Sequence, residues 1–200
     1  PANTISAIDK IKPLVDDTYG PDHPLALRLD TLRAASLSRI GKHQEAEAAL
    51  AANVAALERR LGPDMGWTYL ARDDRALNLV QLGRLAEAAA LLEENAQVIS
   101  RRAGLDPLEQ ARQGLAIAYV RRLQGRFVEA EGLARLACDA EHAAAAPEPV
   151  SVAVACASLA RSLTGLGRID EATTLVRSLL EEHETKDVGR ARLIFALAEA

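Results

Sequence analysis

Aromatic residues are scarce: two Phe, one Trp and three Tyr among 200 residues. Hydrophobic residues nevertheless make up 49% of the chain, so much of the apolar content is alanine. Such a chain cannot fill a wide core with bulky side chains. It must bring its backbones close together, and alanine, the best intrinsic helix former, suits close helix pairs. Two cysteines are too few for a disulfide scaffold or a zinc cluster. Basic residues are in deficit, 24 Lys and Arg against 28 Asp and Glu, for a net charge of −4. With a pI of about 5.6, the chain is not expected to bind nucleic acid. No apolar run approaches the roughly 20 residues that cross a bilayer, so direct membrane insertion is not expected. The opening Pro1-Ala2-Asn3-Thr4 has no basic region followed by an apolar run and no starting methionine. It does not read as a signal peptide and suggests a piece of a longer protein.

Catalytic motifs are also missing. The sequence has no Gly-x-x-x-x-Gly-Lys loop, no His-Glu-x-x-His and no Gly-x-Ser-x-Gly. Asp16-Asp17 and Asp73-Asp74 are adjacent carboxylates, but neighbours on a helix point about 100° apart and form no converging acid–base dyad. His23, His43, His142 and His183 are dispersed and read as surface residues rather than metal ligands. No cofactor, no metal and no catalytic residue is expected.

What is present is a repeat. Gly41-Lys42-His43-Gln44-Glu45-Ala46 returns as Gly83-Arg84-Leu85-Ala86-Glu87-Ala88, as Gly125-Arg126-Phe127-Val128-Glu129-Ala130 and as Gly167-Arg168-Ile169-Asp170-Glu171-Ala172. A second marker keeps the same 42-residue step (83 − 41 = 42). It runs Gly20-Pro21-Asp22-His23-Pro24, Gly62-Pro63-Asp64-Met65-Gly66, Gly104-Leu105-Asp106-Pro107 and Ala146-Pro147-Glu148-Pro149. Four repeats follow, over 20–61, 62–103, 104–145 and 146–187. Residues 1–19 are in phase with a second helix that lacks its first, and Pro13 should kink or split it. Residues 188–200 read as the start of a further first helix, so both ends fall mid-repeat.

Each repeat reads as two helices. The first spans about 24–40, 66–82, 108–124 and 150–166. The glycine at 41, 83, 125 or 167 closes it in the left-handed conformation. The second spans about 43–61, 85–103, 127–144 and 169–185. Its first-turn Glu45, Glu87, Glu129 or Glu171 suits the helix dipole. Each of these acids lies three residues after a Lys or Arg, within reach of a weak surface pair. Ala34, Ala76, Ala118 and Ala160 mark one place in the first helix, and Ala46, Ala88, Ala130 and Ala172 one place in the second. Small residues there let the helices approach at the short end of the usual ~8–10 Å range. Leu37, Leu79, Leu163, Leu50, Leu92 and Val176 surround them. One repeat cannot bury these faces, but a stack can.

The small-residue pair, the glycine at the turn and the Glu-Ala opening of the second helix resemble the tetratricopeptide repeat (TPR). The 42-residue step and the Gly-Pro-Asp-His-Pro linker are similar to the variant found in kinesin light chains and many bacterial regulatory proteins. The resemblance covers residues 20 to about 187. It implies an all-α fold, a right-handed α-solenoid of antiparallel helix hairpins. HEAT-like repeats have a similar period and remain the alternative architecture. Arg33, Arg75 and Arg121 depart from the pattern, each standing where an apolar residue is usual, which suggests local adjustments of helix phase.

The resemblance also implies a concave groove lined by the first helices. Carried onto this sequence, the groove positions are Arg28, Thr31 and Ser38; Leu70, Asp73, Leu77 and Val80; Arg112, Leu115, Tyr119 and Arg122; and Arg161. Arginine and tyrosine are common interface anchors. The expected partner is a protein or peptide, an extended segment carrying acidic residues, with an apolar anchor near Leu70 and Leu77. Solvated arginines, or arginines paired with nearby acids, are the plain alternative. Cys138 and Cys156 lie nine residues either side of Pro147. Antiparallel helices about that linker should put them at similar heights, either as two small buried residues or as a disulfide. The expected role is a protein–protein interaction module. The alternative is the sensor or regulatory part of a bacterial signalling protein, such as a receptor-like serine/threonine kinase or a transcription regulator. The compartment stays open between cytoplasm and periplasm, as does the oligomeric state.

Overall fold

A computed structural model describes residues 2–101 and 107–182. The linker Gly104-Leu105-Asp106, the last two residues assigned to the second helix of repeat two, His183, the end of repeat four and the expected helix at 188–200 lie outside the described residues. Among the described residues all regular structure is helical: α1 (Ala2–Tyr19), α2 (Pro24–Arg39), α3 (His43–Leu61), α4 (Gly66–Gln81), α5 (Leu85–Ser100), α6 (Pro107–Leu123), α7 (Phe127–His142), α8 (Pro149–Gly165) and α9 (Ile169–Glu182). The chain forms two compact units, Pro1–Ile99 and Ser100–Ala200.

The boundaries follow the turn chemistry. Gly41, Gly83, Gly125 and Gly167 all have positive φ, between 74° and 85°. After each, the next N–H reaches back to a carbonyl five residues earlier: Lys42 to Leu37 (3.0 Å), Arg84 to Leu79 (2.9 Å), Arg126 to Arg121 (2.9 Å) and Arg168 to Leu163 (2.9 Å). This is the Schellman closure, which satisfies carbonyls that a helix end leaves free. Helix starts use the linker residues. His23 caps α2 and Glu148 caps α8, each followed by a proline at the first helical position, where its missing N–H costs nothing. Pro13 does not split α1, which runs through it. An interior proline removes one backbone donor, and α1 is held meanwhile by ion pairs to α2: Lys12 to Asp30 at 3.3 Å and Arg33 to Asp9 at 2.7 Å.

In the first unit α1, α2, α3 and α4 pack in sequence, with α2 also against α4. In the second, α6, α7, α8 and α9 pack in sequence, with α6 against α8. All eight marker alanines are buried. So are Leu37, Leu79, Leu163, Leu50, Leu92 and Val176. The expected surface pairs form in every copy: Lys42–Glu45 (3.2 Å), Arg84–Glu87 (2.6 Å), Arg126–Glu129 (2.6 Å) and Arg168–Glu171 (2.5 Å).

The expected shift of helix phase at Arg33, Arg75 and Arg121 does not occur, because the nearby alanines Ala34, Ala76 and Ala118 keep their buried places. The arginines reach out to polar groups instead. Arg33 binds Asp9 (2.7 Å), Arg75 binds Glu47 (2.9 Å), and Arg121 binds Gln124 (2.8 Å) and Glu129 (3.4 Å). A long stem can cover apolar surface while its head finds an acid.

Candidate binding faces on the first helices

The first unit presents α2 and α4. Leu70 (37% exposed) and Leu77 (50%) stand out on α4, with Leu32 of α2 also exposed. Arg28 is half-buried, and its Nη1 is buried without a hydrogen-bond acceptor. It faces Asp74, whose carboxyl is pushed above the ordinary range by burial, against the opposing pull of Arg28 and Arg39. Ser38 is half-buried, its Oγ 3.4 Å from His43 Nδ1. Val80 is half-buried.

One groove assignment needs correction. Thr31 is fully buried. Its hydroxyl donates to Leu27 O (3.1 Å) and accepts from Asn53 Nδ2 (2.7 Å), while the same Asn53 amide donates to Leu27 O (2.8 Å). One step along, Asn95 Nδ2 donates to Tyr69 O (2.9 Å) and to Asp73 Oδ1 (2.8 Å). Leu27, Thr31 and Asn53 each shift by 42 to Tyr69, Asp73 and Asn95, so this is one device used twice. A buried asparagine on the second helix clamps the first helix of its own repeat. Thr31 is therefore turned into the helix pair, while Asp73 and its neighbour Asp74 both stay half-buried. The 42-residue step carried that signal, since the asparagines are in register.

A second polar contact was not foreseen. Arg72, 2% exposed, ties α4 to both neighbours. Its Nε (3.0 Å) and Nη2 (2.6 Å) bind Glu58 of α3, Nη2 lies 3.0 Å from Glu94 of α5, and Nη1 reaches Asn95 Oδ1 at 3.4 Å.

The second unit presents α6 and α8. Arg112 is exposed, but it is engaged. Its Nε and Nη2 donate to the buried carboxylate of Glu141 on α7 at 2.6 and 3.1 Å. Arg122 lies over the Tyr119 ring, 5.6 Å from its centroid, a cation–π contact. Leu115 and Arg161 are half-buried, Leu115 against the apolar core of this unit. An apolar cleft of about 290 Å3 opens beside α6 and α7, lined by Ala111, Gly114, Leu133 and Leu136 among others. The first unit thus carries Arg28, Leu70 and Leu77, and the second pairs Tyr119 with Arg122.

Cys138 and Cys156 are joined as a disulfide between α7 and α8, with Cα atoms 4.8 Å apart. His142, read from sequence as a plain surface residue, lies against it: Nδ1 is 3.8 Å from Cys138 Sγ and 3.7 Å from Cys156 Sγ. The spacing of Cys138 and His142, four residues on one helix face, was the available signal.

A protein of Podosopora anserina described as a kinesin light chain with nearly identical TPR-like repeats superposes with a TM-score of 0.75 at 21% identity, over 88% of this chain and 85% of that one. The fold is TPR-like. BtubC (BKLC) from P. vanneervenii matches with a TM-score of 0.76 at 16% identity, over 98% of this chain and 81% of that one. The TPR-like match decides against the HEAT-like alternative. No family model matches the sequence, and no curated protein does.

Proposed function

We propose that this TPR-like chain is a protein–protein interaction scaffold that works by binding, its first-helix faces taking extended segments of a partner protein. The observation that carries this reading is variation at outward positions beside uniformity at packing ones. Positions 28, 70, 112 and 154 are Arg, Leu, Arg and Val, and positions 77, 119 and 161 are Leu, Tyr and Arg. The alanines at 34, 76, 118 and 160 do not vary. A stack needs the second set alone, so the first set is where specificity can reside. The exposed Leu70 and Leu77 suit an apolar anchor, and Arg28 and Arg122 suit acidic residues on the partner. Arg112 already serves Glu141 and contributes less.

Fluorescence anisotropy with peptides graded in negative charge, each carrying one leucine, tests this. Binding should strengthen with charge, weaken with salt, and fall on Arg122→Ala and on the double change Leu70→Ala, Leu77→Ala. Affinity indifferent to peptide charge, to salt and to these substitutions would refute the assignment.

A further inference from the structure

We propose that, with its disulfide reduced, the second unit holds a zinc-class divalent cation on Cys138 Sγ, Cys156 Sγ and His142 Nδ1. These three atoms come from α7 and α8 and lie within 4.8 Å of one another. The imidazole nitrogen is nearly equidistant from the two sulfurs, at 3.8 and 3.7 Å. A tetrahedral zinc centre, with Zn–S near 2.3 Å and Zn–N near 2.0–2.1 Å, sets nitrogen and sulfur about 3.5 Å apart and the two sulfurs about 3.8 Å apart. Both nitrogen–sulfur separations are therefore already close to what the ion needs. Only the sulfur–sulfur separation must open, which breaking the disulfide permits through rotation about the two cysteine side chains.

The surroundings suit such a site. Both cysteines are buried in the apolar core of the unit while His142 stands at its exposed edge. Two thiolates would be shielded and the histidine would form the rim, leaving the fourth position to water. Two soft sulfurs and one imidazole select zinc-class ions over magnesium or calcium, which prefer oxygen. His142 Nδ1 also lies 2.9 Å from Cys138 O. While the disulfide stands, Nδ1 can carry the proton and donate it to that carbonyl. For the metal, the proton moves to Nε2.

The chemistry balances with a thiol reductant. Two reductant thiols and the protein disulfide give two cysteine thiols and the reductant's disulfide. The divalent ion then binds two thiolates and the neutral imidazole, releasing two protons.

The repeat shows that the stack does not require these residues. Two steps of 42 back, Cys156 and His142 correspond to Arg72 and Glu58. The same place between one repeat's second helix and the next repeat's first helix holds an ion pair in the first unit. Cys138 corresponds to Ala96 and Val54. Ion pair and aliphatic side chain both serve the packing, so the sulfur and imidazole donors are an addition specific to this copy.

The test uses the full chain, reduced anaerobically with dithiol, freed of it, and titrated with Co2+. One equivalent should give thiolate-to-cobalt charge-transfer bands and tetrahedral d–d bands, and Zn2+ should abolish both. The oxidised chain should give neither. His142→Ala, at an exposed position that keeps the fold, should weaken Zn2+ in a chelator competition by more than about tenfold, the lower end of what even outer-shell losses cost. Circular dichroism confirms folding of each sample. Absent charge-transfer bands in the folded reduced chain, equal binding by the oxidised chain, or unchanged affinity in His142→Ala would each overturn the proposal.

Discussion

Arg72 should be the costliest polar residue to remove from the first unit. It is buried, and its guanidinium holds Glu58, Glu94 and Asn95. Arg72→Ala removes two stem methylenes beyond Cβ, about 1.6 kcal/mol of burial at ~0.8 kcal/mol each. It also takes a donor from Asn95 Oδ1 in the interior, costing about 1–3 kcal/mol unless water enters. Breaking a fully buried pair costs roughly 3–5 kcal/mol because a stranded charge remains. Here the stranded acids are not fully buried, Glu58 at 38% and Glu94 at 55% side-chain exposure, and they can rehydrate. The guanidinium's own desolvation is also relieved. These offsets place Arg72→Ala at about 2–4 kcal/mol. Arg72→Met restores the stem without the charge and should cost about 1–2 kcal/mol. Urea unfolding followed by circular dichroism measures both. An Arg72→Ala loss under about 1 kcal/mol, or equal losses for Ala and Met, would show that Arg72 neither packs nor links as described.

Other expectations follow from single contacts. Gly83→Ala should lose about 1–2 kcal/mol in thermal unfolding, because a Cβ there meets open space and only the left-handed backbone resists it. Gly165→Ala would place its Cβ within the Phe127 ring; it should cost about 1–3 kcal/mol, and Phe127→Leu in the same chain should recover part of it. Arg112→Ala strands the buried Glu141 and should cost about 2 kcal/mol, largely restored by Glu141→Gln on a calorimetric scan. Glu148 accepts from the Ser151 hydroxyl (2.8 Å) and backbone N–H (2.7 Å), and these bonds hold its carboxyl below the ordinary glutamate value of 4.5. A lowered folded value means stability that is present above the unfolded value and lost as pH falls through the folded one. The melting-temperature gap between the native chain and Glu148→Ala should therefore be widest at neutral pH and shrink in acid; a gap independent of pH would contradict the cap.

The helices were legible because their signals are local. Glycine closures, linker prolines and first-turn acids act within one turn of chain, so a repeat read from letters alone placed α2, α3, α4 and α6–α8 within a residue or two of where they lie. The orientation of the first-helix side chains was legible only in part. Thr31 and Asp73 share a register with Arg28 and Leu70, but a helix has no outside until its partners are placed. Asn53 decides that Thr31 turns inward, while Asp73 accepts from Asn95 and stays half-buried. Arg33, Arg75 and Arg121 were read as breaks in phase because an arginine at an apolar position has no local explanation; its acid lies on another helix or the next turn.

By itself, then, the sequence determined the 42-residue step, the helix ends and the alanine faces that must meet, since each depends on backbone conformation or on residue size. The tertiary structure alone decided which polar groups meet across helices. Arg72 with Glu58 and Glu94, Arg112 with Glu141, and His142 with Cys156 all join residues on different helices. Side-chain heads reach several ångströms from their own backbone, and only packed neighbours fix where they stop.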